Sequence, residues 1–546
     1  MVAPSFASVA STQWGAKPAR MGHEQSEEVA LDTPNDWGPE LFIGLVGPVG
    51  ADLERVVDYL SDALRQIHYA PEPLIHLSQY LRDADEQFAN LPRAPLDVYI
   101  HKHMDAGNKL RQITGLNDAM AILGIGAIRE ERLAELRPEP GTVPRRAYII
   151  RSLKHPDEAR TLRHVYGSSF YLIAVHGTHH ERRQHLAQQI ADSHNSMEAV
   201  ERYYAPAEDL IQRDLEEPDI PHGQNLRDTF HRADVFFDMG HSDAILRNEI
   251  TRFVELIFGS PFLTPTKAEY AMFHAAAAAL RSAEPGRQVG AAIATDDGDI
   301  IAVGTNEVPK SGGGMYWCDD QFDRRQFQLK FDSNQAQKRN LIAETLDYLK
   351  KAGWLVPELY SLSRDELLER AMYTAKPALP RRSQIRSLIE FGRAVHAEMA
   401  ALIDAARRGV SVQDTTMYVT TFPCHLCARH VVAAGIKQVH YIEPYPKSLA
   451  LALYPDSIAL ERADRTEQGH GQILFEPFFG VSPRRYFDLF TAPGRRDSHD
   501  KLMLFDADRA SPRATAVERI YLTKEQLLLE ALNAKLSGTL FPKNPN

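Results

Sequence analysis

Two short segments constrain this chain more than any other stretch: His396-Ala397-Glu398 and, 28 residues beyond the histidine, Pro423-Cys424-His425-Leu426-Cys427. Cysteines three apart at the start of a helix can turn both sulfurs to one ion, and a histidine opening the preceding helix can supply a third ligand. His396, Cys424 and Cys427 would thus hold Zn2+ with one tetrahedral position open, which a catalytic rather than a structural zinc needs. Glu398 then faces that position as a proton carrier without ligating. Helix N-terminal dipoles and the cation both favour thiolate at the two cysteines. The competing reading is a closed structural site, which requires a fourth ligand from His425, Cys318 or a distant histidine.

The rest of the composition narrows the setting. With 546 residues the chain is long enough for about three to four domains. Hydrophobic residues make up 44% and charged residues 25%, the balance of a globular protein. Three cysteines cannot build a disulfide framework, and no apolar run reaches membrane-spanning length, so a cytoplasmic protein with no membrane contact is expected. A formal charge of -11 disfavours a broad grip on nucleic acid.

Residues 1–38 show no hydrophobic period and read as a disordered tail. From 39 to 262, apolar runs at Leu41–Val46, Arg146–Ile150, Ser169–Val175 and Ala233–Phe237 alternate with helical patterns, which predicts a parallel α/β sheet. Residues 263–490 read as a mixed three-layer αβα unit. Its expected elements are an Ala-rich helix from Thr266, a hairpin at 289–304, an insertion at about 311–380, a helix over 385–408, strands at 416–421 and 438–443, and a last strand over 473–479. Residues 491–546 form a C-terminal extension.

The H-x-E and P-C-x-x-C pair, with Gln288-Val289-Gly290-Ala291 and Gly304-Thr305-Asn306, resembles the cytidine deaminase superfamily over about residues 266–490, and within it the deoxycytidylate deaminases. This resemblance implies that Asn306 contacts the sugar and that the Ala397 backbone reads the pyrimidine. The fusion to an N-terminal P-loop-like, nucleoside-phosphate-kinase-like domain resembles the bacterial anti-phage dCTP deaminases of the Avc type, over about residues 40–490. That likeness implies deamination of dCTP and dCMP to deplete dCTP in antiviral defence, a small inhibitory RNA as partner, and a homo-oligomer. The alternatives are a deaminase of RNA or single-stranded DNA and a non-catalytic RNA-binding sensor with a structural zinc.

A free nucleotide needs cations. Lys376, Arg381, Arg382, Arg386 and Arg393 precede His396, with Glu390 the sole acid between 376 and 393, and Arg382 and Arg386 are the expected phosphate contacts. A solvated helix face is the alternative. In the N-terminal domain, Gly44, Gly47 and Gly50 stand where a phosphate-binding loop belongs, but Ala51 replaces the lysine and Asp52 the hydroxyl residue, so kinase chemistry is not expected. Cys318 sits in a Gly- and aromatic-rich loop expected beside the nucleotide.

Overall fold

The computed structural model describes residues 39–135, 145–215, 223, 225–375, 379, 383–445, 447–460, 471–492, 494–513 and 518–536. The expected 1–38 tail lies outside them. Strands β1 (Leu41–Val46), β2 (Leu74–His76), β3 (Ala147–Arg151), β4 (Phe170–His176) and β5 (Val235–Asp238) form a parallel sheet in the order β5-β4-β1-β3-β2. β1 is buried along its whole length because both faces of the sheet are covered, which is why LFIGLV reads as an unbroken apolar run. Helix α1 (Leu53–Arg65) follows β1 through the glycine-rich turn, its N-terminus capped by the Asp52 carboxylate, which accepts from Arg55 N at 3.1 Å.

The second sheet contains β6 (Gly290–Ala294), β7 (Ile300–Thr305), β8 (Thr416–Thr421), β9 (Gln438–Glu443), β10 (Ile458–Ala459) and β11 (Ile473–Pro477), in the order β10-β11-β9-β8-β6-β7. β6 is antiparallel to both its neighbours and the remaining pairs are parallel. Ala291 and Ile293 share a core with Ala397 and Ala401, whereas Ala292 and Ala294 share one with Ala271, Met272 and Ala275. Strand alternation therefore sends successive side chains to helices on opposite faces: α3 (Lys267–Ala279; α2 is Ala119–Glu135) and α5 (Ala397–Arg408; α4 is Ser333–Lys351). The expected mixed α/β architecture is observed.

Both helices pack at backbone distance. A Cβ on Gly290 would stand 1.9 Å from the Ala275 carbonyl, and one on Gly304 would stand 2.1 Å from the Ala397 carbonyl. Only glycine opposite a row of alanines allows this approach, and the Gly304 contact seats α5 on β7.

The chain departs from the expected elements in two places. The expected helix over 385–408 is a short turn, Gln384–Ser387, followed by irregular backbone, and α5 begins only at Ala397. Val395 forms an antiparallel bridge with Glu307, with N–H to carbonyl bonds of 3.2 and 3.0 Å, and an extended bridge residue cannot be helical. The expected insertion at about 311–380 contains α4 and a helix at Arg364–Glu369. The last expected strand ends at Pro477, and Gly480–Val481 (β12) then joins the first sheet, antiparallel to β5.

That return ties the two sheets together. Glu269 on α3 accepts a bidentate pair from Arg252 at 2.8 and 2.9 Å and a bond from Val481 N at 2.8 Å. Helix α7 (Glu518–Asn533; α6 is His425–Ala433) packs on α2, where buried Arg132 bonds Glu40 and Glu525 at 2.9 Å. Tyr521 and Tyr148 donate to the same Glu40 carboxylate at 2.6 and 3.2 Å. No helix among the described residues is long and apolar enough to cross a membrane.

Candidate metal centre

His396 and Cys424 are the N-cap residues of α5 and α6, and Cys427 lies in the first turn of α6. The Val395–Glu307 bridge sets the approach to α5. Glu307 is itself buried, paired to Arg325 at 3.5 Å and accepting from Ala283 N at 2.9 Å. On the other side, Ser448 Oγ donates to Pro423 O at 2.8 Å and steadies the entry to α6. Sequence reasoning passed over Glu307 and Arg325, whose partners are remote in sequence.

One ligand atom from each of His396, Cys424 and Cys427 lies within 4.8 Å of the other two. His396 Nδ1 is 3.2 Å from Cys424 Sγ and 3.5 Å from Cys427 Sγ. Tetrahedral zinc with ordinary Zn–N and Zn–S bonds separates such atoms by about 3.5 Å, so the residues fit the ion. Among the described residues this is the one His/Cys/Asp/Glu group of metal-binding geometry. The conceivable fourth ligands are elsewhere: His425 pairs with Glu390 at 3.6 Å, and Cys318 is exposed. His179 and His101 pair with Glu208 and Asp105.

Glu398 is 4% exposed. Burial, reinforced by charge on Cys424, pushes its carboxyl up to about 7, while His396 pulls the other way. The Cys427 thiol and the His396 imidazole hydrogen-bond to Cys424 and hold it as thiolate, well below the usual thiol range. The Cys424 contact in turn draws the imidazole up to about 9. Binding of a cation by these donors would release the protons they carry.

The other expected site residues are distributed around this centre. Ala397 is fully buried beneath Gly304. Asn306 Oδ1 accepts from Val289 N and its Nδ2 donates to Arg287 O, both at 2.7 Å, so the amide braces the rim of the sheet while each end keeps capacity for one further bond. Arg386 donates to the carbonyls of Met372 and Leu379 at 2.9 and 3.0 Å. Arg382, with Lys376 and Arg381, lies outside the described residues. The Cys318 loop is pinned by Lys310, which bonds Asp320 at 2.7 Å, and by Arg281, which sits 3.4 Å over the Trp317 ring.

In the first sheet, Gly47 and Gly50 line a cavity of 390 Å³ at the carboxyl ends of the strands, and Gly44 lies inside β1, its Cβ position filled by Leu153 and Phe170. The cations on this cavity are already paired: Lys154 with Asp214 at 2.8 Å, Arg111 with Glu158 at 3.4 Å and Arg151 with Glu54 at 3.0 Å. Val49 N donates to the same Asp214 at 2.7 Å, so a protein carboxylate occupies the loop amide.

One imidazole and two thiols at paired helix N-termini form a donor set that suits zinc, with a buried carboxylate beside it. Residues 265–443 match the family model of the cytidine and deoxycytidylate deaminase zinc-binding region. The chain is 46% identical over 54 residues to the deoxycytidylate deaminase of Enterobacteria phage T2, covering 10% of this chain and 29% of that protein. It is 26% identical over 174 residues to a probable deoxycytidylate deaminase of Drosophila melanogaster, covering 32% of this chain and 58% of the relative. The match thus spans under a third of the phage relative and somewhat over half of the fly one. The dCMP deaminase of cyanophage S-TIM5, solved with dCMP and dUMP, aligns with 39% of this chain and 98% of its own at 16% identity and a TM-score of 0.21, too loose an overlap to carry weight.

Proposed function

We propose that this protein is a zinc-dependent deaminase of free deoxycytidine nucleotides, converting dCTP, dCMP or both to the deoxyuridine nucleotide and ammonia, and that by depleting dCTP it serves anti-phage defence in the cytoplasm. The observation that carries this reading is buried Glu398 beside a three-donor cluster with no fourth donor among the described residues. A purely structural zinc has no use for such a carboxylate.

His396, Cys424 and Cys427 would hold the ion, which when bound supplies a Lewis acid able to activate water near neutral pH. Glu398 takes a proton from that water, delivers it to N3 of the pyrimidine as C4 is attacked, and then carries a proton to the departing ammonia. The Ala397 main chain reads the pyrimidine, and the spare capacity of Asn306 meets a sugar hydroxyl. Residues 39–262 are proposed as a nucleoside-phosphate-kinase-like domain without catalytic equipment, regulatory in role and a dock for an inhibitory RNA, in a protein that assembles as a homo-oligomer.

The test is release of ammonia and uracil nucleotide by nuclease-treated, full-length protein offered dCTP, dCMP, CTP and deoxycytidine, with Glu398→Ala as control. Turnover of dCTP or dCMP that vanishes in the control supports the proposal. No turnover of any of the four, with one zinc per chain, overturns it in favour of a polynucleotide substrate or an RNA-gated binding module.

A further inference from the structure

The second sheet's helical insertion encloses a cavity of 380 Å³ lined by Gln335, Lys338, Arg339, Arg386 and Lys447 together with Ile342, Met372 and Tyr373. Four cations line it and no carboxylate does. Lys338 is 8% exposed, and neither Arg339 nor Lys447 has an ion-pair partner among the described residues. Burial, Lys447 and Arg386 all pull the Lys338 ammonium below its ordinary range, while Asp332 and Glu390 oppose them. Both of those acids are engaged elsewhere: Asp332 caps α4 by accepting from Gln335 N, and Glu390 pairs with His425. Cations gathered without a counter-charge are unfavourable unless an anion arrives. The cavity near Gly47, whose cations are internally paired, shows the opposite arrangement.

Two elements that line the cavity also contact the segments leading to the metal centre. Lys447 precedes Ser448, which bonds the carbonyl next to Cys424. Asn334 and Ser333 of α4 donate to Leu388 O and Phe391 O at 3.1 and 2.8 Å, on the segment that runs into His396. A nucleotide directs its phosphates away from the base amine, so a seat one loop removed from the ligands suits it.

We propose that this cavity seats the triphosphate of the substrate, with Lys338, Arg339, Arg386 and Lys447 as its cationic lining. This rests on the deaminase reading and ranks dCTP above dCMP, because roughly four negative charges at pH 7 match four cations where a monophosphate leaves two or more unmatched. A cavity lined by four cations and a single aromatic ring also suits a compact polyanion better than a strand, which needs a groove with successive stacking aromatics.

Arg339→Glu and Lys447→Glu test it, the first at a half-buried and the second at an exposed position. Two readouts are needed. Calorimetric titration with inorganic tripolyphosphate should show binding to the wild type and a loss of at least about tenfold in each variant. The ratio of kcat/KM for dCTP to that for deoxycytidine should fall by at least about tenfold, and less so for dCMP. If the wild type fails to bind tripolyphosphate, or the variants bind it equally well, the seat is refuted whether or not the protein deaminates. If tripolyphosphate binding behaves as expected but no nucleotide is turned over, the deaminase reading fails and the polyanion seat stands. Variants that lose a single-stranded oligoribonucleotide but keep tripolyphosphate would overturn the seat in favour of RNA.

Discussion

Replacing Gly304 by alanine should disable the metal centre without touching any of its donors. The added Cβ would lie 2.1 Å from Ala397 O, 2.4 Å from Ala401 N and 3.0 Å from Ala401 Cβ. Ordinary contact begins near 3.4 Å, and the first two atoms belong to the backbone of α5, so no rotamer change can relieve the clash. The helix as a whole must retreat by about 1 Å. It carries Glu398 and is capped by His396, while metal sites tolerate about 0.2 Å and a 1 Å misplacement of reacting groups costs about 100-fold in rate. We expect zinc per chain to fall well below one by atomic absorption and kcat to fall by about 100-fold in zinc-supplemented buffer. Gly290→Ala is the control. Its Cβ would meet α3 at 1.9 Å, and α3 bears none of the donors, so it should cost about 1–3 kcal/mol of stability with zinc content retained. Full zinc occupancy and unchanged kcat in Gly304→Ala would refute the idea that α5 is positioned by this glycine.

Glu398→Gln should keep one zinc per chain and lose about 100- to 10,000-fold in turnover, measured as ammonia release. Arg132→Met strands Glu40 and Glu525, both about 1% exposed at the side chain, and should cost about 3–5 kcal/mol in thermal unfolding, whereas adding Glu40→Leu and Glu525→Leu should recover most of it. His155 is lowered to about 4, chiefly by burial, and its Nδ1 accepts from Asp157 N at 3.1 Å. An unfolded histidine binds its proton at higher pH than this one, so stability is complete above about pH 6.5 and declines as pH falls towards 4. The contribution lost by pH 5 is at most about 2 kcal/mol, and His155→Gln should flatten that part of a urea-midpoint profile.

The parallel sheet was legible because buried strands betray themselves: β1 coincides with the apolar run at 41–46, and β8 and β9 with theirs. The His396, Cys424 and Cys427 cluster was legible because a chelate needs fixed spacing at helix starts. What stayed hidden depends on contacts distant in sequence. Val395 leaves the helical pattern only because Glu307 bridges it, and β12 is a two-residue strand defined solely by its partner β5. The polyanion cavity was half visible. Arg386 stands near the histidine in sequence, but Lys338 and Arg339 lie some 60 residues upstream on a helix read as a polar insertion. Asn306 was a ligand candidate through the family resemblance, with a turn asparagine capping the strand end as the alternative, and its bonds to Arg287 and Val289 required coordinates to see.

The return of the chain to the first sheet has a consequence for synthesis. β5 is made long before β12 and α7 leave the ribosome, with roughly 240 residues separating β5 from β12, or roughly 10–50 s at ordinary translation rates. During that interval the β5 edge has no partner strand, and Arg132 has Glu40 but not Glu525. A nascent N-terminal half therefore presents an open strand edge and an incomplete charge cluster, features that recruit chaperones or stray strands. The sheet is completed only after the metal-binding segments have been made, so a chain truncated before residue 480 would leave the N-terminal half unfinished as well.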